Sequence, residues 1–224
     1  MPDSIVKHAS KTAITMIAFA FIGTALLAYV FEITRAPIEA SEAEARLALF
    51  KQILPENTYD NDLLKQVIKI VPNELLGNHL PTEANIATLN HKTAGVILEA
   101  VAHDGYSGDI KLLIAIRADG SISGVRVLTH KETPGLGDYI DVAHGNWIRL
   151  FNNESLAKTP AKLWQVKKDG GKFDYMVGAT ITPRAVVKAV LKAEQFFEMN
   201  KDTLFADPKN LVSENTGLIQ KNKD

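Results

Sequence analysis

Between Thr12 and Phe31 the chain reads TAITMIAFAFIGTALLAYVF, with no Asp, Glu, Lys, Arg or His. As a helix rising about 1.5 Å per residue, such a stretch reaches across the hydrocarbon core of a bilayer, roughly 30 Å. A core helix of a soluble protein would keep one polar face, and this segment has none. It is also longer than the apolar region of a leader peptide, and no small-x-small cleavage site follows promptly. The segment therefore reads as a membrane anchor. Gly23 within it is ordinary for membrane helices. Lys7 and Lys11 precede the anchor, whereas Glu32, Arg35, Glu39, Glu42 and Glu44 follow it. The positive-inside rule then places the N-terminus in the cytoplasm and the rest of the chain outside.

After the anchor, Pro37 suggests a break, and Ser41 with Glu44 has the spacing of a capping box. Leu47, Phe50, Ile53 and Leu54 make a helical stripe that Pro55 ends. Residues to Asn90 are mixed and polar, with a short helix expected at Asp62–Ile70. From Ala94 onward, AGVILEAVAH, DIKLLIAIRA and SISGVRVLTH read as consecutive antiparallel strands, the latter two joined by an Asp119-Gly120 turn. Gly145–Phe151 is expected to be helical, and Trp164 and Val166 to lie on a further strand. A last helix is expected from Pro183 to Met199, with Ala185, Val186, Ala189, Val190, Ala193 and Phe197 facing inward. The polar ending SENTGLIQKNKD is expected to fray. The fold class is α+β: a transmembrane helix, then an antiparallel sheet flanked by helices. The expected division is a cytoplasmic terminus 1–11, the anchor 12–31, a helical connector with the start of the outer domain 32–90, a ligand-binding domain 91–205 and a tail 206–224.

Two stretches carry chemistry. FDYMVGATITPRAVVKAV, Phe173–Val190, reads as a strand end, a tight turn and a helix start. Gly178 and Ala179 are small enough for a bulky group to approach the backbone. Thr182 is a natural N-cap with Pro183 in the first helical position. Free amides and the positive end of the helix dipole suit an anion there, Arg184 adds charge, and the Thr180 hydroxyl lies beside it. Simple helix initiation explains the same residues equally well. In the second stretch, HKETPGLGD, His130–Asp138, Pro134-Gly135 fits the centre of a type II turn. A rigid loop at a hairpin end is the plain reading.

Together these stretches resemble the FMN-binding domain family found in the G subunit of the Rnf (Rsx) electron-transport complex and the C subunit of the sodium-pumping NADH:quinone reductase. The form of both motifs is more similar to the former. In that family a flavin transferase takes FMN from FAD and esterifies it to the last threonine of a D-x-x-(S/T)-G-A-T motif. The matching positions here are Asp174, Gly178, Ala179 and Thr180. Val177 stands where the family has Ser or Thr, keeping the β-branched shape without the hydroxyl. The resemblance implies covalent FMN on Thr180, with Thr182 and Arg184 near its phosphate. Glu132, Thr133, Leu136 and Gly137 are implied as flavin neighbours, and Tyr106-Ser107-Gly108 matches a weaker family element. It further implies an electron-transfer subunit with no independent active site, joined to other membrane and peripheral subunits of a Rnf-type complex in the inner membrane.

The alternative is a scaffold or sensor subunit that retains the domain without flavin. With no Cys in the chain, thiolate metal sites, cysteine-held iron–sulfur clusters, disulfides and a cysteine nucleophile are excluded. A formal net charge of -1 gives no reason to expect nucleic-acid binding. His130, Glu132 and His144 lack the helical spacing of a metal motif, so no metal site is expected.

Overall fold

The structure, a computed structural model, describes residues 2–206. It divides into two compact units, Met1–Arg46 and Leu47–Asp224. The first unit is helix α1 (Pro2–Ile53) up to Arg46. Its apolar side chains, among them Ile14, Phe19, Phe21, Leu27 and Phe31, are exposed along their length. Among the described residues, this is one helix long and apolar enough to cross a membrane. Pro37 lies inside α1 and does not end it, and Ser41 and Glu44 are mid-helix residues rather than a capping box. A proline removes one hydrogen bond and crowds one carbonyl, a cost that a long helix made of good formers on either side can absorb. Pro55 follows the end of α1, as its missing N–H and restricted predecessor require.

The second unit is built on a five-stranded antiparallel meander in chain order: β1 (Val67–Ile70), β2 (Thr82–Leu89), β3 (Lys92–Ala102), β4 (Ile110–Arg117) and β5 (Ile122–Thr129). The strand region thus starts well before Ala94. The Asp62–Ile70 helix is replaced by one turn, in which the Asp62 carboxylate accepts from the Leu64 amide, and then by β1. Asp62 satisfies its own turn, and the Gln66 carbonyl is taken by the Ile86 amide of β2, so pairing overrides local helical preference. β2 and β3 are joined by Asn90 and His91, both at positive φ, the requirement of a type I′ turn. A His in that place hides the hairpin from a reading that looks for Gly. The Asp119-Gly120 turn forms where expected, with the Gly120 amide donating to the Arg117 carbonyl.

Both faces of the sheet are covered. On one, Leu112, Ile114 and Ile116 of β4 meet Val186, Val190, Ala193 and Phe197 of helix α2 (Ile181–Leu204). On the other, Leu113 and Ala115 meet Phe50, Ile53 and Leu54 at the end of α1. Alternate residues of one strand feed opposite cores, which explains why KLLIAI reads as an unbroken apolar run. The inward stripe expected for α2 is buried throughout.

Further expectations change. The Gly145–Phe151 helix is a short 3-10 turn, Trp147–Phe151. No strand forms at Trp164 and Val166: two 3-10 turns flank a single parallel bridge between Val166 and Phe173. Finally, α2 is longer than Pro183–Met199, and its N-cap is Thr180 rather than Thr182. The first intrahelical donor is the Arg184 amide, to the Thr180 carbonyl, so Pro183 sits in the first turn where no N–H is needed. The tail residues 213–224 lie outside the described residues.

Candidate functional site

The turn before α2 is fixed from behind by aromatic side chains. Trp147 Nε1 donates to the Asp174 carbonyl at 2.7 Å, and the Met176 amide donates to Tyr139 Oη at 3.2 Å. Tyr139 and Trp147 meet edge to face, and Phe151, Trp164 and Phe173 continue the cluster into the core. Burial pushes the Tyr139 hydroxyl above its ordinary pKa, so it stays a neutral acceptor and donor. No short-range pattern reveals these two anchors, because each meets its partner 27 or 37 residues away.

On this base, Met176–Ala179 forms a tight turn closed by the Ala179 amide donating to the Met176 carbonyl. Gly178 takes a φ of +93°, the left-handed torsion of the third position of a type II turn, and nothing stands within 4 Å of where its Cβ would be. Val177 at the tip is 84% exposed. Ala179 is buried and Thr180 half-buried. Thr180 caps the helix by position only: its side chain makes no capping hydrogen bond. The amides of Ile181 and Thr182 precede the first intrahelical donor and lie at the positive end of α2.

The second loop also folds as its sequence suggests. The Leu136 and Gly137 amides both donate to the Thr133 carbonyl, and Gly135 has a φ of +75°, as the second central residue of a type II turn does. Thr133 and Leu136 are exposed, while Gly137 is buried. The two loops meet at Glu132, which is 4% exposed. Its Oε2 accepts from Thr182 Oγ1 at 2.5 Å, and its Oε1 accepts from the Ser107 amide at 3.0 Å. Ser107 brings the Tyr106–Gly108 segment to the same place. Thr182, expected to cap α2, is 1% exposed and spends its hydroxyl on Glu132 instead.

Two other residues have partners of their own. Arg184 forms a two-pronged pair with Asp169, Nε to Oδ2 at 2.5 Å and Nη2 to Oδ1 at 2.6 Å. That pairing holds the Asp169 carboxyl below its ordinary range and the guanidinium above its own. Asp174 is exposed and ion-paired with Lys167. Of the three side chains weighed as a metal set, Glu132 has both oxygens taken and His144 faces Asp138 at 3.4 Å. His130 Nδ1 accepts from the Glu132 amide. Asp174 and Arg184 thus frame the site through partners of their own, whereas Glu132, Gly137, Thr182 and the Gly178–Thr180 turn converge.

Comparison with known proteins adds a second line. The model of the FMN-binding domain matches residues 105–195, and that of the RnfG N-terminal region matches residues 1–53. The G subunit of the ion-translocating oxidoreductase complex of Pseudomonas aeruginosa is 44% identical over 196 residues, covering 88% of this chain and 92% of its own. The corresponding protein of Shewanella loihica is 42% identical over 210 residues, covering 94% and 97%, and that of Aliivibrio fischeri 40% over 200 residues, covering 89% and 95%. Among solved structures, NqrC of Shewanella oneidensis is similar with a TM-score of 0.46 and 22% identity, over 66% of this chain and 76% of that one.

Proposed function

Because this chain belongs to the family of G subunits of ion-translocating oxidoreductase complexes, we propose that it carries electrons on an FMN joined covalently to Thr180. The chain is an electron-transfer subunit of a membrane complex, and its FMN-binding domain spans the loops that converge at Glu132. One observation carries the assignment of the acceptor: of the two threonines at the start of α2, Thr182 is buried with its hydroxyl on Glu132, whereas Thr180 is half-buried and makes no capping bond.

The residues fit the cofactor. Gly178 leaves open space beside the turn, the Ile181 and Thr182 amides suit a phosphate, and Thr180 offers an ester oxygen. Asp174 and Arg184 border this segment, and Thr133, Leu136 and Gly137 form the facing loop. FMN bound here supplies the redox chemistry; the chain's residues supply the tether, the orientation and the local field. Maturation needs a flavin transferase and FAD. Thr180 Oγ attacks the FMN-side phosphorus, the Oγ–P bond forms, the bond from that phosphorus to the bridging oxygen breaks, AMP leaves and the hydroxyl proton passes to water. A tether keeps the cofactor at high effective concentration outside the cytoplasm, where a dissociated one would be diluted away.

The mass of the peptide containing Thr180, taken from protein matured in its host, tests the reading. An added FMN moiety on Thr180 is expected, and an unmodified threonine overturns it. We also propose that the N-terminus is cytoplasmic and that the FMN-binding domain lies on the other side of the membrane. Since the chain has no Cys, a single cysteine at exposed Met199 reports sidedness. A membrane-impermeant maleimide is expected to label it in spheroplasts, and labelling only after lysis would reverse the topology.

A further inference from the structure

We propose that Glu132 is the positioning residue of the acceptor site, holding α2 so that Thr180 is presented for esterification while Thr182 is withheld. The inference rests on the covalent reading above. Three segments far apart in sequence, Gly105–Gly108, Glu132–Gly137 and Thr180–Thr182, meet on one buried carboxylate. Its two oxygens receive two donors from different directions, a hydroxyl and an amide. A carboxylate accepts at both oxygens, whereas a carboxamide of the same shape has a single acceptor oxygen and must turn N–H toward one of the two.

The contact leaves no slack. A Cβ on Gly137 would fall 2.7 Å from Glu132 Oε2 and 2.9 Å from Thr182 Oγ1, and one on Gly105 would fall 3.0 Å from Glu132 Oε1. Small residues at these two places let the loops close on the carboxylate. Thr182 is two residues beyond Thr180 in the first turn of α2. Fixing its hydroxyl therefore fixes the rotation of that turn and the direction in which Thr180 leaves it. The same contact holds Thr182 inside the fold, and burial rather than the hydrogen bond removes it as a competing nucleophile. Misplacement of a reacting atom by about 1 Å costs on the order of a hundredfold in rate, so a clasp of this kind governs turnover more than stability.

The test uses the full-length protein, made without the transferase and then incubated with a flavin transferase and FAD. The initial rate of FMN addition to the Thr180 peptide is read by mass, alongside the unfolding midpoint. E132Q is expected to keep its midpoint and to lose on the order of tenfold or more in rate at saturating FAD, with KM for FAD unchanged. T182V keeps the side-chain shape without the hydroxyl and is expected to lose a similar factor. The double variant E132Q/T182V is expected to be no slower than either single one, since both break the same contact. K131Q, at the exposed neighbouring residue, is the control and stays at the wild-type rate.

A wild-type rate in E132Q or T182V overturns the proposal, as do independent, multiplying losses in the double variant. A rate that falls only in step with the unfolded fraction also overturns it, because the carboxylate would then be merely structural. Should E132Q not fold, T182V alone decides. If the wild-type protein itself gains no FMN on Thr180, the covalent reading fails instead.

Discussion

Replacing Thr180 by Ala is expected to abolish covalent flavin completely while leaving the domain folded. The side chain is half-buried and makes no capping hydrogen bond. Its truncation therefore forfeits less than the usual cost of a lost cap, about 1 kcal/mol, and surface changes of this kind stay within about 0.5 kcal/mol. Thr180→Ser keeps an oxygen at the same place and is expected to retain the cofactor. The nearby Thr182 cannot substitute, because its side chain is buried. In-gel flavin fluorescence after denaturation separates the outcomes: a fluorescent band from Thr180→Ala would refute the assignment, and a dark band from the parent protein would refute the tether altogether.

Glu194→Met is expected to stabilise the fold by several kcal/mol at alkaline pH and to remove its steepest pH dependence. Glu194 lies on the inner side of α2, fully buried, and among the described residues neither carboxyl oxygen has a hydrogen-bond partner at full geometry. Burial first, and then the neighbouring charge of Glu198, push its pKa from 4.5 up to about 8, with a smaller push from Asp119. The nearby Leu156 amide offsets a little of this. The sign follows from linkage. In the unfolded chain the carboxyl ionises at its ordinary pKa, while in the fold it stays protonated to about 8. The stability associated with its neutral form is fully present below pH 4.5. It erodes by up to about 1.4 kcal/mol per pH unit above that and is lost once the pH passes about 8.

The full loss has an upper bound of about 5 kcal/mol, from the shift at roughly 1.4 kcal/mol per unit. Met has a similar volume, favours helices and leaves no unpaired polar atom, so it also gains about 1–3 kcal/mol at acidic pH. Urea unfolding of the detergent-solubilised protein and its Glu194→Met variant at pH 5, 7 and 8.5 checks this. The two stability curves are expected to diverge as pH rises, and parallel curves would show that Glu194 keeps its charge in the fold. His103 also has a raised pKa, through Asp109 and the Gly77 carbonyl, and contributes a slope of the same sign in both proteins. The difference between the curves therefore isolates Glu194.

Much of this protein is written in near neighbours. The uncharged run from Thr12 to Phe31, the inward stripe of α2, the Asp119-Gly120 turn and the type II turn at Pro134-Gly135 depend on residues within a few positions of one another. Periodicity and torsional preference report such features directly. So does the small-residue turn at Gly178–Thr180 ahead of a helix. Contacts made across the fold are another matter. The sequence places the cap of α2 at Thr182 because Thr-Pro is a good local start, but the structure gives that hydroxyl to Glu132 and begins the helix earlier. Arg184 looks like a free cation beside an anion site until Asp169 is found opposite it. Glu194 lies among alternating polar and apolar residues of a long helix, and only the packing of α2 against the sheet makes it a stranded acid. Each of these environments was made by chain reversal, and spacing along a sequence carries no record of which distant segment a turn will bring back.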